Sequence, residues 1–412
     1  MLTPLSQLGF VPVSVVLGEE LGIGPASIGL AVGLYAVSAA AGTVLLGPLF
    51  DLVPARKILP WAILVNLAVS LGFIWVPNFS VLVVGRLLAG FANSALALAA
   101  SVIVADTFRD SPTDRDKAFS GLQTFVSTGA ISGLTLGGLC AGLGMPWLFF
   151  AVVAGYGVFV LCMLPVILKR MKRYEFVQND DLGETNMSDE QRKVGTRPTP
   201  AALLVEIIRM VRSPRTILLL LATVCGSWVL QGGHYSLSML LNAESVNVAA
   251  RTALTVVIPI GVLAGALVNQ WSLVRVPVTG IYARAFLVLP LACGGLALAI
   301  TTDHMLAWAG GLFCVGIVCG MLGPLQPTLI VGWYPDMRGS ASAAVNVANS
   351  AGAALGPIVM GAIAMYWVLP GVVGVAAGVA AIGAILAVFL SRSLARTRST
   401  TPAMTPVAAG ER

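Results

Sequence analysis

The sequence predicts an all-α membrane protein of twelve spanning helices, arranged as two pseudo-symmetric six-helix bundles. Three observations carry this reading. Only 10% of the 412 residues are charged against 57% hydrophobic, with a mean hydropathy of +0.91, whereas a soluble domain carries about 25% charge. The apolar residues fall into runs of roughly 20, the length needed to cross a hydrocarbon core of about 30 Å. The two halves also repeat each other's glycines and loop charges.

The runs place spans at Met1 to Gly18, Ser27 to Phe50, Ile58 to Val76, Phe79 to Ala105, Phe119 to Leu143, Trp147 to Leu168, Thr216 to Leu241, Ala249 to Trp271, Pro277 to Thr301, Met305 to Trp333, Ser340 to Met365 and Leu369 to Leu390. The first is short, about 27 Å at 1.5 Å per residue, and holds Pro4 and Pro12, so it is expected to be truncated at its N-terminus. It has no basic region and no small-residue cleavage site, which excludes a signal peptide. Glu19 and Glu20 are expected in the turn that follows. The second span closes on Gly47, Asp51, Pro54, Arg56 and Lys57, a short charged hinge. A carboxylate at a membrane surface is costly unless a cation or the free N–H groups of a helix N-terminus meet it. The fourth span ends in a mixed-charge connector from Asp106 to Lys117, with Arg115 inside it.

Lys169 to Arg215 is the only long polar segment. Asn179 to Pro200 is poor in apolar residues and reads as disordered linker. In Ala201 to Val211, Leu203, Leu204, Ile207, Ile208 and Val211 recur at helical spacing, which predicts an amphipathic helix on the membrane surface. The domains are therefore 1–168, an N-terminal bundle; 169–214, a linker; 215–390, a C-terminal bundle; and 391–412, a tail.

With helices alternating from a cytoplasmic N-terminus, 21 of the 24 Lys and Arg residues fall on the cytoplasmic side, all but Arg86, Arg251 and Arg284. This bias predicts a multi-pass protein of the cell membrane with both termini inside. It also accounts for the net charge of +6 without nucleic-acid binding, and Lys169, Arg170, Lys172 and Arg173 are expected to touch anionic membrane lipid. The six cysteines all lie in apolar runs with no CxxC pair and read as packing residues.

The repeat is specific in register. Gly47, Asp51 and Lys57 match Gly265, Asn269 and Arg275, and Arg115, Ala118, Gly129, Gly133 and Gly138 match Arg338, Ala341, Gly352, Gly356 and Gly361. The acid of the first half has become an amide in the second, so the switching charge is expected in the first half, with the second as scaffold. Gly129, Gly133 and Gly137 at four-residue spacing make a groove that lets another backbone approach. Gly352, Gly356 and Pro357 do the same in the eleventh span, where the proline also frees a carbonyl.

These residues resemble the major facilitator superfamily, and within it the twelve-helix drug:proton antiporters, over nearly the whole chain. The family's loop pattern G-x-x-x-D-R-x-G-R-R/K reads here as Gly47, Asp51, Arg56 and Lys57, with Leu52 and Pro54 departing from it. The fourth-span pattern of Arg then Gly is Arg86 and Gly90. The antiporter pattern G-x-x-x-G-P-x-x-G-G is Gly129, Gly133, Gly137 and Gly138, with Leu134 for the proline, and its counterpart is Gly352, Gly356 and Pro357. The resemblance implies alternating access, with Gly47, Asp51, Arg56, Lys57, Asp106 and Arg115 as a conformational latch. Asp51 is expected at the N-terminal end of the eleventh span, near Ser340. It also implies that Arg86 transfers protons or anchors a bound group. On the residues alone, a buried arginine costs about 2.5–3.5 kcal/mol on insertion scales and must face a partner or water, or else snorkel to the surface.

No Asp or Glu stands in the interior of a span, although a carboxylate that can be loaded and emptied is the usual proton carrier. The best substitute is His234, beside Trp228, Gln231 and Tyr235. Tyr35, Gln123, Gln326, Asn346 and Asn349 complete the candidate substrate cavity. No phosphate-binding loop, metal motif or catalytic triad appears, so neither an enzyme nor ATP drive is expected, and no cofactor. The reading is a monomeric secondary active transporter, coupling protons to efflux of a small, largely apolar substrate. An uptake symporter, an uncoupled facilitator and a lipid flippase are the alternatives.

Overall fold

The computed structural model describes residues 1–23, 25–76, 78–108, 111–183, 200–243, 248–302, 304–364 and 369–400. In chain order the helices are α1 (Leu2–Leu21), α2 (Pro25–Leu52), α3 (Ala55–Gly72), α4 (Phe79–Thr107), α5 (Pro112–Gly142), α6 (Pro146–Gly183), α7 (Pro200–Arg212), α8 (Pro214–Ala243), α9 (Val248–Ser272), α10 (Val278–Ile300), α11 (Met305–Trp333), α12 (Arg338–Ala364) and α13 (Leu369–Thr400). A 3₁₀ turn, Phe73–Trp75, extends α3. Among the described residues, ten helices are long and apolar enough to cross a membrane: α2 to α6, α8 to α11 and α13. They turn large apolar side chains outward, with Trp61, Leu291 and Leu298 at 71%, 74% and 70% exposure. Such a surface suits lipid and not water.

Several helix ends differ from expectation because the backbone continues wherever it can close its own hydrogen bonds. Glu19 and Glu20 belong to the last turn of α1, not to the following turn. The helix stops one residue later at Gly22, whose φ of 64° suits glycine. There the Gly22 N–H donates to Glu19 O and the Ile23 N–H to Gly18 O, the paired bonds of a Schellman cap. Asp51 likewise lies in the last turn of α2, so the hinge shrinks to Val53 and Pro54. The mixed-charge connector is mostly helix: Asp106 ends α4, while Asp114, Arg115 and Asp116 open α5 behind Pro112, a favoured first helical residue. Asn179 to Gly183, expected to be disordered, still belong to α6, and residues 184–199 lie outside the described residues. In α7, Met210 is the buried residue, while Val205, Ile208 and Val211 are exposed.

In the first half, α1 packs on α5 and α6, α2 on α4, and α3 on α4 and α6. Its core is an aromatic cluster of Phe10, Phe73, Phe149 and Phe150, with neighbouring ring centroids 5.2 to 6.5 Å apart. The larger core, around Tyr282, Phe286 and Leu289, lies where α8 packs on α12 and α13, α9 on α11, and α10 on α11 and α13. Helices of the two halves meet as α2 on α12, α5 on α9 and α11, and α4 on α12.

Candidate functional site

Where α2 meets α12 across the halves, the contact centres on Asp51. A carboxylate in the last turn of α2 opposes the negative end of its own helix, so nothing in α2 rewards it. Its partner is the start of α12. The first N–H groups of a helix have no acceptor within it, and Met337, which precedes α12, has no side-chain oxygen to cap them. Asp51 caps them from the other half: the Gly339 N–H donates to Oδ1 at 2.6 Å, the Ser340 N–H to Oδ2 at 2.9 Å, and the Ser340 hydroxyl to Oδ2 as well. The approach depends on absent side chains. A Cβ on Gly47 would collide with the Ala343 Cβ, and one on Gly339 would lie 2.5 Å from Gly47 O and 2.7 Å from Asp51 Oδ1.

Four further contacts join the two halves. Arg338 Nη1 donates to Asp106 Oδ1 at the end of α4, and its Nε donates to Pro335 O at 2.7 Å. Arg115 at the start of α5 occupies the mirrored position against the last turn of α11: a Cβ on Gly332 would lie 3.3 Å from its Nη2, and a cation at a helix C-terminus is favourable. Asn269, the repeat counterpart of Asp51, is fully buried and donates from Nδ2 to Ser120 Oγ at 3.0 Å, and its neighbour Gln270 donates from Nε2 to Thr124 Oγ1, one turn further along α5, at 3.4 Å. The second half is therefore no passive scaffold: it supplies Arg338, and its amide makes its own cross-half bond. Arg56 is half-buried and Lys57 exposed at the start of α3.

Deeper in the first half, Arg86 is buried at 3% exposure, so it does not snorkel. Its guanidinium carbon lies 4.0 Å from the Phe10 ring centroid and 4.4 Å from that of Tyr35. Gly90 brings Tyr35 there, because a Cβ on Gly90 would strike the Tyr35 carbonyl. Nearby, Asn66 Nδ2 donates to Asn93 Oδ1 at 2.8 Å and Asn93 Nδ2 to Ser6 Oγ at 3.4 Å. Sequence reasoning passed over this amide pair, although an amide inside an apolar run is a legible signal. No carboxylate among the described residues pairs with Arg86, and its Nε has no hydrogen-bond partner. Two desolvated cation–π contacts supply about 2 kcal/mol each, against an effective cost of several kcal/mol for taking a cation out of water.

Such paired cross-half contacts fit the repeat, and comparison with known families decides what the repeat belongs to. A model of the major facilitator superfamily matches residues 1–331 and, in a second match, residues 277–409. The chain belongs to the major facilitator superfamily. No curated protein matches it. Like its superfamily, it is a membrane transporter of small molecules.

In this transporter the motif glycines divide by partner. A Cβ on Gly129 would lie 2.5 Å from Met1 O and one on Gly133 2.5 Å from Leu5 O, while Gly137 abuts the Gly9 carbonyl, so the α5 groove holds the α1 backbone. Gly138 faces the other half, against Thr252 of α9. On α12, Gly352 and Gly356 hold α8: Cβ atoms there would lie 2.8 Å from Ser227 Cβ and 2.9 Å from Gly232 N. The side chains of Pro357 and Tyr235 lie outside the described residues.

The expected cavity residues each make contacts of their own. Tyr35 belongs to the Arg86 cluster. Gln123 faces Gly323 of α11. Trp228 is half-buried and packs against the small cluster of Met360, Val372 and Ala376, with its Nε1 unpartnered. His234 Nδ1 lies 3.0 Å from Leu230 O in its own helix. A carbonyl only accepts, so the proton sits on Nδ1, and Nε2 is buried without a partner. Gln326 is buried with Oε1 unpartnered beside Gly226. Gln231 and Asn346 are half-buried, and the Asn349 carbonyl accepts from Ser227 Oγ at 2.6 Å.

Proposed function

We propose that this transporter works by alternating access, exporting small and largely apolar compounds against the entry of protons, in the manner of the drug:proton antiporters. Twelve spans form two six-helix halves, 1–168 and 215–390, joined by the linker 169–214 and followed by the tail 391–412. Both termini face the cytoplasm, the cell membrane is the site of action, and the monomer is the working unit. The seam at Asp51 is the cytoplasmic gate in its closed state. Rocking of the halves withdraws α12 from Asp51, leaving a carboxylate and two N–H groups to be met by water. Gly47, Arg56, Lys57, Asp106 and Arg115 border that gate, and Arg86 and His234 are the groups placed to hold or pass a charge.

The observation that carries this reading is the capping of α12 by an acid from α2. It joins the two halves through polar groups that water can replace, so the contact can open and close. The test is substrate-driven proton flux in vesicles containing the full chain, with a panel of lipophilic fluorescent dyes as probes. Dye movement should drive proton counterflow, and Asp51→Asn should cripple both. Dye movement with no proton flux would sink the antiport reading and leave an uncoupled facilitator. One observation favours that second reading: none of the described side chains of Asp and Glu is buried, so no mid-span carboxylate is on hand to carry the proton.

A further inference from the structure

Arg86 lines a small cavity between α1, α3, α4 and α6, shared with Ser6, Asn66, Ser70 and the rings of Phe149 and Phe150. The cavity lies within the first half and apart from the seam between the halves. About 20 Å³ of it is open to the centre of a water-sized sphere, room for one small ion or water molecule. The guanidinium is held over two aromatic rings, which leaves its in-plane N–H groups to seek acceptors. Nε finds none among the described residues.

The polar neighbours do not supply negative charge. The Ser6 hydroxyl donates to Thr3 O and the Ser70 hydroxyl to Asn66 O, while Asn66 Nδ2 is spent on Asn93. These side chains are neutral, so a positive charge in a low-dielectric interior stands uncompensated. A water molecule could accept from Nε and still leave the charge unbalanced.

We propose that the Arg86 cavity binds a single halide-sized monovalent anion, chloride being the one of fitting size. The ion balances Arg86 and fills the space left where α1 meets α4 and α6. The site is separate from the gate and does not depend on the direction or coupling of transport.

The test measures thermal unfolding of the full chain in detergent, in chloride, bromide, acetate or gluconate at constant ionic strength. Ligand that binds only the folded state raises the midpoint with concentration, so chloride and bromide should raise it saturably by a few degrees over gluconate. Arg86→Met should abolish the difference, and Arg86→Lys should retain part of it. Equal midpoints in all four salts would overturn the proposal, as would a halide effect that persists in Arg86→Met. A rise in acetate alone would assign the site to a carboxylate and overturn it too. Should Arg86→Met fail to fold, bromide-soaked crystals of the wild-type chain decide. Anomalous density in contact with the Arg86 guanidinium supports the site, and its absence there overturns it. No readout involves transport, so failure here leaves the exporter reading standing.

Discussion

Replacing Asp51 by Asn removes one charge and one acceptor oxygen while keeping the shape. In the closed seam the carboxylate accepts three hydrogen bonds, two from N–H groups and one from a hydroxyl. Hydrogen bonds to a charged group are worth about 1.5–3 kcal/mol each, and a carboxylate at a helix N-terminus adds up to about 2 kcal/mol. Asparagine keeps one acceptor and still caps a helix, but its amide hydrogens face the N–H it can no longer satisfy. Half-burial of Asp51 lets solvent return part of the loss. The net destabilisation of the closed seam is about 2–3 kcal/mol, a roughly 30- to 150-fold shift toward opening. Spin labels at Lys57→Cys, exposed at the start of α3, and Pro335→Cys, exposed just before α12, read this directly in a cysteine-free background. The wild type should give one short distance, and Asp51→Asn should populate a second, longer one. Superimposable distance distributions would refute the capping argument, since a seam indifferent to the charge is not held by it.

Gly47→Ala should be more damaging than Asp51→Asn. Alanine gains about 1 kcal/mol of helix propensity over glycine, yet its methyl lands on Ala343 across the seam, so dye transport should fall while each half stays folded. Arg338→Gln should have a small effect: Asp106 is 59% exposed and such pairs contribute about 0–1 kcal/mol, so transport should change less than threefold to fivefold. Asn269→Asp should not recreate the first-half gate. Asn269 is fully buried and its Oδ1 has no donor, so a carboxylate there is desolvated without the helix N-terminus that Asp51 enjoys. A lower unfolding midpoint is expected, and an unchanged one would count against the account.

What could be read in advance follows from how each property arises. Most spans are legible because lipid demands apolar runs, and among the described residues ten of the expected twelve coincide with helices long and apolar enough to cross, though the ends differ. The ends moved because a helix stops at the residue that can terminate it, such as Gly22, and not at the last apolar one. The four-residue glycine spacing on α5 announced a backbone neighbour, though not that α1 fills the groove while Gly138 turns to α9. Arg338 was readable through the repeat, since Arg115 stands in register with it. The amides Asn66 and Asn93 were visible in the sequence as well, but their pairing was not.

The sequence by itself determined that the chain is a helical membrane protein, where its helices run, and that its halves share one pattern. Those properties depend on local composition and spacing, which any stretch of chain carries with it. Only the tertiary structure decided that Asp51 serves a helix almost three hundred residues away, that Asn269 meets Ser120, and that Arg86 sits against two rings with no carboxylate among the described residues beside it. Each of these depends on which helix faces which. Where helices are apolar on every side, the hydrophobic pattern marks no inward face, and small residues and a few polar contacts set the packing.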